Sequence, residues 1–397
     1  MKKICLLIIF VLSFQNNFSQ TNDLNTITTS VPFLLINPNA QSMGIADIGV
    51  VAASGYYESG LTQNPALLSR DEKVIGVKTS YKPWLRNLVP DISMFDFSTY
   101  YAFSKKCALG YSYNRFSLGS VTYTDTNGTV IGIGNAWEFC HSLKYAQSLT
   151  PNLSIGLGVK YIQSNLTNNM NISGKQSHPG KSIAADIGVD YRKEIAKKET
   201  SFWRYDIGAS IVNMGSKIKY VDSATGDFLP MLLSVGTMWT YNKNVDPDIK
   251  YCVDFAYQFE KLLVPTPPKY SFDNAGNRTI VSGKDPDVSV FRGAVQSFYD
   301  APGGAGEEFA EVVHKIGIEN RLVFKEKSSI AFRAGYLAEN RTKGDRKFFN
   351  LGLGGKFRSI YLDAGIIMLY KQNGQYRTAM DHPFSWNVTL GYKYIFK

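Results

Sequence analysis

Histidines and cysteines are the side chains of this chain that could bind a metal or act as nucleophiles, and both are scattered. No histidine lies at metal-ligand spacing from another histidine or cysteine. Three widely spaced cysteines outside the N-terminal apolar stretch form neither a disulfide framework nor a zinc pattern. We therefore predict no metal, cofactor or catalytic site from the residues His141, His178, His314, His382, Cys107, Cys140 and Cys252.

Other polar groups that could do chemistry lie within strand-like sequence. Asp186, Asp190 and the pair Asn320-Arg321 fall on the polar side of such stretches, where a wet interior accounts for charge without an active site. The glycines of Gly352 to Gly355 are not a phosphate-binding loop because no helix follows them. With no nucleophile and base to nominate, we predict that the chain is not an enzyme. The net charge of +10 includes no basic cluster dense enough for nucleic acid.

The elements that carry these residues are predicted to be strands, because apolar residues recur at every second position. In the C-terminal stretch Trp386 to Phe396, the apolar residues fall on one face and Asn387 to Lys393 supply the polar face. The same alternation recurs along the chain. Counting such segments predicts fourteen strands, at 72–82, 92–104, 107–123, 135–148, 152–166, 181–192, 203–214, 231–242, 248–260, 309–324, 328–340, 346–357, 359–371 and 384–397.

Alternation alone does not choose between a soluble sandwich, with apolar faces inside, and a membrane barrel, with apolar faces outside. Three features favour the barrel. Residues 1–19 have the charged and apolar regions of a secretory signal peptide, with cleavage expected near Ser19 or Gln20. The strands are about ten residues long, and tryptophans lie near predicted strand ends on the apolar side, as in interfacial girdles. After residue 19 the sequence contains no run of about 18 apolar residues, so no membrane-spanning helix is predicted.

The predicted connections are mostly short after even-numbered strands and long after odd-numbered ones. In outer-membrane barrels the short turns are periplasmic, so the C-terminus should be periplasmic as well. Residues 20–71 precede the first strand and are either a plug in the lumen or a disordered tail, and their apolar stretches favour the plug. The barrel would comprise residues 72–397, with one long outer loop at about 261–308. That loop is either a simple lid or a protein-docking surface.

Several motifs resemble the PorV/PorQ family of the type IX secretion system of Bacteroidota, which is similar to the long-chain fatty-acid transporter superfamily. They are residues 31–36, 43–50, Asn64-Pro65-Ala66, 81–85, the proline-rich stretch 261–268, 283–288, 296–304, 333–336 and 343–347. Gln41-Ser42 and Gln63 depart from the family pattern, which leaves a specialised paralogue open.

The resemblance implies an all-β, 14-stranded antiparallel transmembrane barrel with an N-terminal luminal plug that contains the Asn64, Pro65, Ala66 motif. It also implies that the protein docks to the SprA translocon barrel and captures secreted cargo by the cargo's C-terminal signal domain. The cargo would then be delivered to the attachment complex that contains the sortase PorU. The barrel itself would contact outer-membrane lipid and lipopolysaccharide. A passive transporter for hydrophobic small molecules is the alternative. As partner-binding residues we predict Leu262, Leu263, Val264, Pro265, Pro267, Pro268, Phe298, Tyr299 and Pro302.

Overall fold

Fourteen antiparallel strands close into a barrel in the computed structural model. The structure describes residues 24–53, 57–71, 73–84, 89–104, 106–125, 127–172, 175–273, 276–325, 328–369 and 385–396; the predicted signal peptide lies outside them. Each barrel strand pairs with its neighbours along the chain, and the first pairs with the last from Val74 with Ile395 to Tyr81 with Val388. The barrel strands are β1 (Val74–Pro83), β2 (Ser93–Ala102), β3 (Cys107–Thr124), β4 (Val130–Ser148), β5 (Leu153–Asn165), β8 (Gly180–Ile195), β9 (Ser201–Gly215), β10 (Leu232–Asp246), β11 (Ile249–Leu262), β14 (Val313–Phe324), β15 (Ser328–Ala338), β16 (Lys347–Phe357), β17 (Ile360–Leu369) and β18 (Ser385–Ile395).

The remaining elements are short. Two small hairpins lie outside the barrel sheet, β6 (Asn171–Ile172) with β7 (Lys175–Gln176), and β12 (Lys269–Phe272) with β13 (Arg278–Ser282). The α-helices are α1 (Ala40–Gly44), α2 (Val290–Gln296) and α3 (Ala305–Ala310), and 3-10 helices span Pro32–Leu35, Tyr57–Leu61, Pro65–Arg70 and Arg341–Lys343. Among the described residues, no helix combines the length and the apolar character needed to cross a membrane.

The predicted number and order of strands are confirmed, and three predicted ends are wrong. β4 begins at Val130, five residues early, because it continues a hairpin with β3 whose turn is only 125–129. β10 runs on to Asp246, where it still pairs with Ile249 of β11. The strand predicted from 309 begins at Val313, because the residues just before it form α3.

Side-chain exposure settles which face of the strands is outside. Apolar residues of the alternating pattern are exposed, including Leu143, Leu157 and Val159, each more than half exposed. The polar residues between them are buried, with Lys78 and Lys144 at 2% and 1% exposure. This is the reverse of a water-soluble sheet protein and is the pattern of a barrel that faces hydrocarbon.

Connections at one end of the barrel are all short, whereas those at the other end range from the five-residue turn 125–129 to a loop of fifty residues. The links after β2, β4, β8, β10, β14 and β16 span at most five residues, and the link between β11 and β14 covers 263–312. We call the two rims of the barrel the short-turn end and the long-loop end. The features that could bind other molecules lie at the long-loop end and along the inner wall.

Candidate functional site

The loop at 263–312, called the long loop below, is a folded unit. It contains the β12–β13 hairpin and the helices α2 and α3. Ser289 begins α2 by accepting a hydrogen bond from the backbone N–H of Arg292 (3.4 Å), as expected of a serine N-cap. Because the helices order its backbone, the long loop presents side chains in defined positions.

A buried carboxylate fastens the long loop to the barrel. Glu311 accepts hydrogen bonds from Lys261 at the end of β11 (2.5 Å), from Lys343 (2.9 Å) and from the hydroxyl of Thr266 (2.6 Å). Removing one partner from a buried ion pair typically costs about 3–5 kcal/mol. Glu311 therefore fixes the proline-rich stretch against the end of β11 and the link between β15 and β16.

A second carboxylate, Asp300, joins the proline-rich stretch to α2. It accepts hydrogen bonds from the backbone N–H of Thr266 (3.2 Å) and from Gln296 Nε2 (3.3 Å). Burial raises the pKa of Asp300 to about 6, because a charged carboxylate is disfavoured away from water. Asp300 thus titrates within two units of neutral pH at the centre of the long loop.

Several aromatic and aliphatic side chains of the long loop are exposed. Phe291 is 82% exposed and Phe309 79%, and about half of the side-chain surface is exposed at three further positions. Phe291, Val295 and Phe298 recur at helical spacing, so they share one side of α2 and its end. We call this set the aromatic surface: Phe291, Val295, Phe298, Tyr299 and Phe309.

The predicted docking residues divide between this surface and the layer beneath it. Phe298 and Tyr299 belong to the aromatic surface, while Pro302 is half-buried. Leu262 and Pro267 are half-buried, and Leu263, Val264, Pro265 and Pro268 are buried. The proline-rich stretch therefore supports the surface from below. Sequence reasoning missed Phe291, Val295 and Phe309, although the i, i+4 spacing of Phe291 and Val295 was a usable signal.

Residues 24–53 and 57–71, called the N-terminal segment below, meet the polar faces of strands on both sides of the ring. Asn64 of the predicted plug motif donates to Val50 O (2.8 Å) and to Val189 O of β8 (2.9 Å). Pro65 and Ala66 begin the 3-10 helix that contacts β4, β5 and β8. On the other side, the backbone N–H of Ala40 donates to Thr389 Oγ1 of β18 (3.0 Å).

Glycines on the polar faces of eight strands make room for this segment. A Cβ added at Gly188 would lie 2.1 Å from Asn64 Oδ1, and one at Gly335 would lie 2.4 Å from Ala46 N. Real Cβ contacts are essentially never this short, so the backbone of the segment occupies the space a side chain would need. We call this set the glycine belt: Gly156, Gly188, Gly208, Gly236, Gly317, Gly335, Gly352 and Gly365.

Ion pairs hold the end of the N-terminal segment near the short-turn end. Lys393 of the last strand pairs with Asp71 (2.8 Å) and Glu58 (3.2 Å). Arg70 pairs with Asp190 of β8 (2.6 Å). These contacts join the residues just before β1 to strands that lie 120 and more than 300 residues later.

A cavity of about 680 Å³ lies between the N-terminal segment and the inner wall towards the long-loop end. Phe33, Trp84, Met94 and Phe116 contribute to its apolar wall. This volume is typical of small-molecule sites.

The described histidines and cysteines form no common cluster, and His382 lies outside the described residues. His141 lies on the apolar face of β4, and its Nδ1 is 2.8 Å from the hydroxyl of Tyr111. Within the described ranges, no group of three or more histidine, cysteine or acidic side chains could hold a metal ion.

A comparison with sequence models of protein families matches the chain to "Type IX secretion system protein PorV" over residues 19–269, more than half of its length. The chain belongs to the PorV family. The PorV match ends where the long loop begins its hairpin, so the aromatic surface lies outside it. Family and fold are those of a secretion-system protein of the bacterial outer membrane. A comparison with curated proteins finds no match.

Several solved structures align with most of this chain at low sequence identity. A Pseudomonas aeruginosa FadL homologue aligns at 11% identity and TM-score 0.41, covering 94% of this chain and 100% of its own. The Pseudomonas putida toluene transporter TodX aligns at 8% identity and TM-score 0.41, covering 94% and 98%. The Ralstonia pickettii toluene transporter TbuX aligns at 10% identity and TM-score 0.39, covering 91% and 98%.

Proposed function

We propose that this PorV-family chain is a non-enzymatic adaptor of the type IX secretion system. It docks to the translocon barrel SprA through the long loop, receives cargo by the cargo's C-terminal signal domain, and passes it to the attachment complex that contains PorU. In this arrangement the C-terminus is periplasmic and the long loops face the cell exterior. Membership of the PorV family supports the secretion context.

The aromatic surface is the observation that carries the docking proposal. Solvent-facing loops seldom expose several large apolar side chains together, and such patches mark interaction sites. Aromatic residues are also enriched among the side chains that dominate binding energy at protein interfaces. The surface is therefore suited to an apolar patch on a protein partner.

The layer below the surface supports this role by keeping it rigid. The proline-rich stretch is buried, and Glu311 and Asp300 hydrogen-bond to Thr266 within it. A surface that is ordered before binding loses less conformational entropy on docking. The predicted residues Leu263, Val264, Pro265 and Pro268 then contribute as the foundation of the interface, while Phe298 and Tyr299 contribute contacts.

The N-terminal segment supports an adaptor over a conduit. We propose that residues 20–71 remain in the lumen as a plug while the protein works. The glycine belt is shaped to the backbone of the described part, and Gln258 Oε1 accepts hydrogen bonds from the N–H groups of Gly49 and Val50 (both 3.0 Å). Because the segment fills the lumen, protein cargo would cross the outer membrane through a partner protein and not through this barrel.

Removing the aromatic surface tests the adaptor role. A variant with Phe291→Ser, Phe298→Ser and Phe309→Ser should fold as a barrel, fail to co-purify SprA from native outer membranes, and leave cargo in the periplasm. The matched control is Phe272→Ser with Val281→Ser, two exposed residues of the hairpin in the same loop. The control should bind and secrete normally.

Normal SprA recovery and secretion by the folded triple variant would overturn the docking proposal. Deleting the long loop provides a coarser version of the test, with the same expected cargo accumulation and an intact barrel.

Passive transport of hydrophobic small molecules is the second candidate, and the 680 Å³ cavity favours it. Transport would also require a route past the N-terminal segment, which occupies the glycine belt below. Purification from native membranes separates the two functions, since an adaptor retains protein partners and a transporter retains a small ligand alone.

A further inference from the structure

The cavity at the long-loop end has polar atoms that the protein leaves without partners. Among the described residues, Asn37 Nδ2, Asp47 Oδ1, Ser112 Oγ and Ser142 Oγ are buried without a hydrogen bond, and all four residues line the cavity. Buried polar groups nearly always have partners in folded proteins. Water or a bound molecule must supply these partners.

Lys82 adds an incompletely paired cation to the same cavity. Its side chain is 1% exposed, and its ammonium donates one long hydrogen bond to Asn37 O (3.3 Å) and lies 5.1 Å from the centre of the Trp84 ring. No carboxylate of the described chain lies within ion-pair distance of it. An ammonium has three donors, so Lys82 can still bind an anion.

The other cations that line the cavity are already paired. Lys160 pairs with Asp186 (3.0 Å), Lys315 with Glu260 (2.7 Å), Lys343 with Glu311 (2.9 Å) and Arg346 with Glu339 (2.7 Å). Lys82 is therefore the position at which an incoming anion gains most and displaces no existing partner.

Asp47 requires the opposite chemistry. One of its carboxylate oxygens is buried and accepts no hydrogen bond, so it calls for a donor or a cation. A ligand head that carries only negative charge would satisfy Lys82 and be repelled by Asp47. A head with an anion and an N–H donor satisfies both.

The remaining wall is apolar and suits an acyl chain. Phe33 of the N-terminal segment stacks on Phe116 of β3 with 6.2 Å between ring centres, and Met94 packs in the same cluster. Water could satisfy the polar atoms, but it would gain nothing along this wall. The cavity is thus amphipathic, with polar groups beside an apolar surface.

We propose that the cavity binds a monoacyl zwitterionic phospholipid, with the phosphate at Lys82 and Asn37, the ammonium at Asp47, and the acyl chain along Phe33 and Phe116. Binding requires neither docking nor transport. Secretion assays of the aromatic surface and binding assays of the cavity can therefore fail separately.

Three monoacyl probes with the same fluorescent tail test the proposal on the full barrel in diacyl phosphatidylcholine vesicles. Monoacyl phosphatidylethanolamine should bind saturably at one site. Monoacyl phosphatidylcholine, which has no N–H donor, should bind about tenfold more weakly, and monoacylglycerol, which has no phosphate, more weakly still.

Substitutions assign the two ends of the head. Lys82→Met should weaken both phospholipids about tenfold, and Lys82→Arg should retain binding. Asp47→Asn should abolish the preference for ethanolamine over choline, and asparagine suits the left-handed backbone at this position (φ 57°). Lys243→Met, at an exposed lysine, is the control and should change nothing.

Absence of saturable binding would mean that water alone fills the cavity and would overturn the proposal. Equal affinity for all three probes, or unchanged affinities in folded Lys82→Met and Asp47→Asn, would overturn it as well. If Lys82→Met does not fold, the Asp47→Asn preference still decides.

Discussion

Replacing one glycine of the belt by alanine should loosen the N-terminal segment without opening the barrel. At Gly335 the added Cβ would lie 2.4 Å from Ala46 N and 2.6 Å from the carbonyl carbon of Ile45. Ordinary Cβ contacts begin at 3.4 Å, so the backbone of the segment must retreat by about 1 Å. Both obstructing atoms are backbone, so no side-chain rotation relieves the clash.

Overpacking of this kind costs about 1–3 kcal/mol. If the strain is relieved by the segment, its local opening becomes about 5-fold to 150-fold more frequent, at about 1.4 kcal/mol per factor of ten. Hydrogen exchange measured by mass spectrometry on peptides from 40–53 should speed up by that factor in Gly335→Ala. Peptides from the barrel strands should exchange as in the wild type, because the ladder bonds of β15 are unaffected.

Gly355→Ala is the matched control. A Cβ at Gly355 meets nothing within 4 Å, and this glycine lies on the exposed side of β16. Its exchange should be unchanged throughout. If Gly335→Ala and Gly355→Ala behave alike at 40–53, the segment is not seated against the belt and the reasoning about a filled lumen is refuted.

Two further predictions concern the lipid-facing surface and the long loop. Leu143→Arg, on the exposed face of β4, should lower the free energy of unfolding by about 2–4 kcal/mol in urea unfolding from vesicles, as expected of an arginine near mid-membrane. The control Ile133→Arg lies in the part of β4 that extends beyond its pairing with β5 and should have little effect. Equal effects of the two variants would contradict the assigned membrane face. Because the pKa of Asp300 is raised to about 6, the long loop should become more stable as pH falls from 7 through 6 towards 4 and less stable as pH rises. Hydrogen exchange of the loop, corrected for intrinsic rates, should show this dependence in the wild type and lose it in Asp300→Asn, and a dependence that persists in the variant would assign it to another group.

The strand count and order could be predicted because alternation is a local property. Each strand carries its own apolar and polar faces within about ten residues, and no distant contact is needed to recognise them. The predicted ends failed where local signals were weak. The residues 130–134 look like loop in the sequence but belong to β4, because the turn before them covers only 125–129. The predicted strand from 309 overlaps the end of α3, which precedes Val313.

The docking residues were harder to predict because composition does not show burial. Leu263 and Val264 look like a binding surface in the sequence, yet they pack beneath the loop, while Phe291 and Phe309 are the most exposed of its aromatic residues. Burial in a loop of this length depends on which strands and loops it meets. Glu311 joins Lys261 and Lys343 across 82 residues of sequence, which no local pattern records.

The sequence by itself determined a series of strands, each with one apolar and one polar face, since period-two alternation is present in each strand separately. Only the tertiary structure decided which polar groups find partners. Closing the ring brings Lys393 to Asp71 and leaves Lys82 beside an apolar cavity. The partner of Lys393 comes from the N-terminal segment, more than three hundred residues earlier, so this pairing exists only after closure.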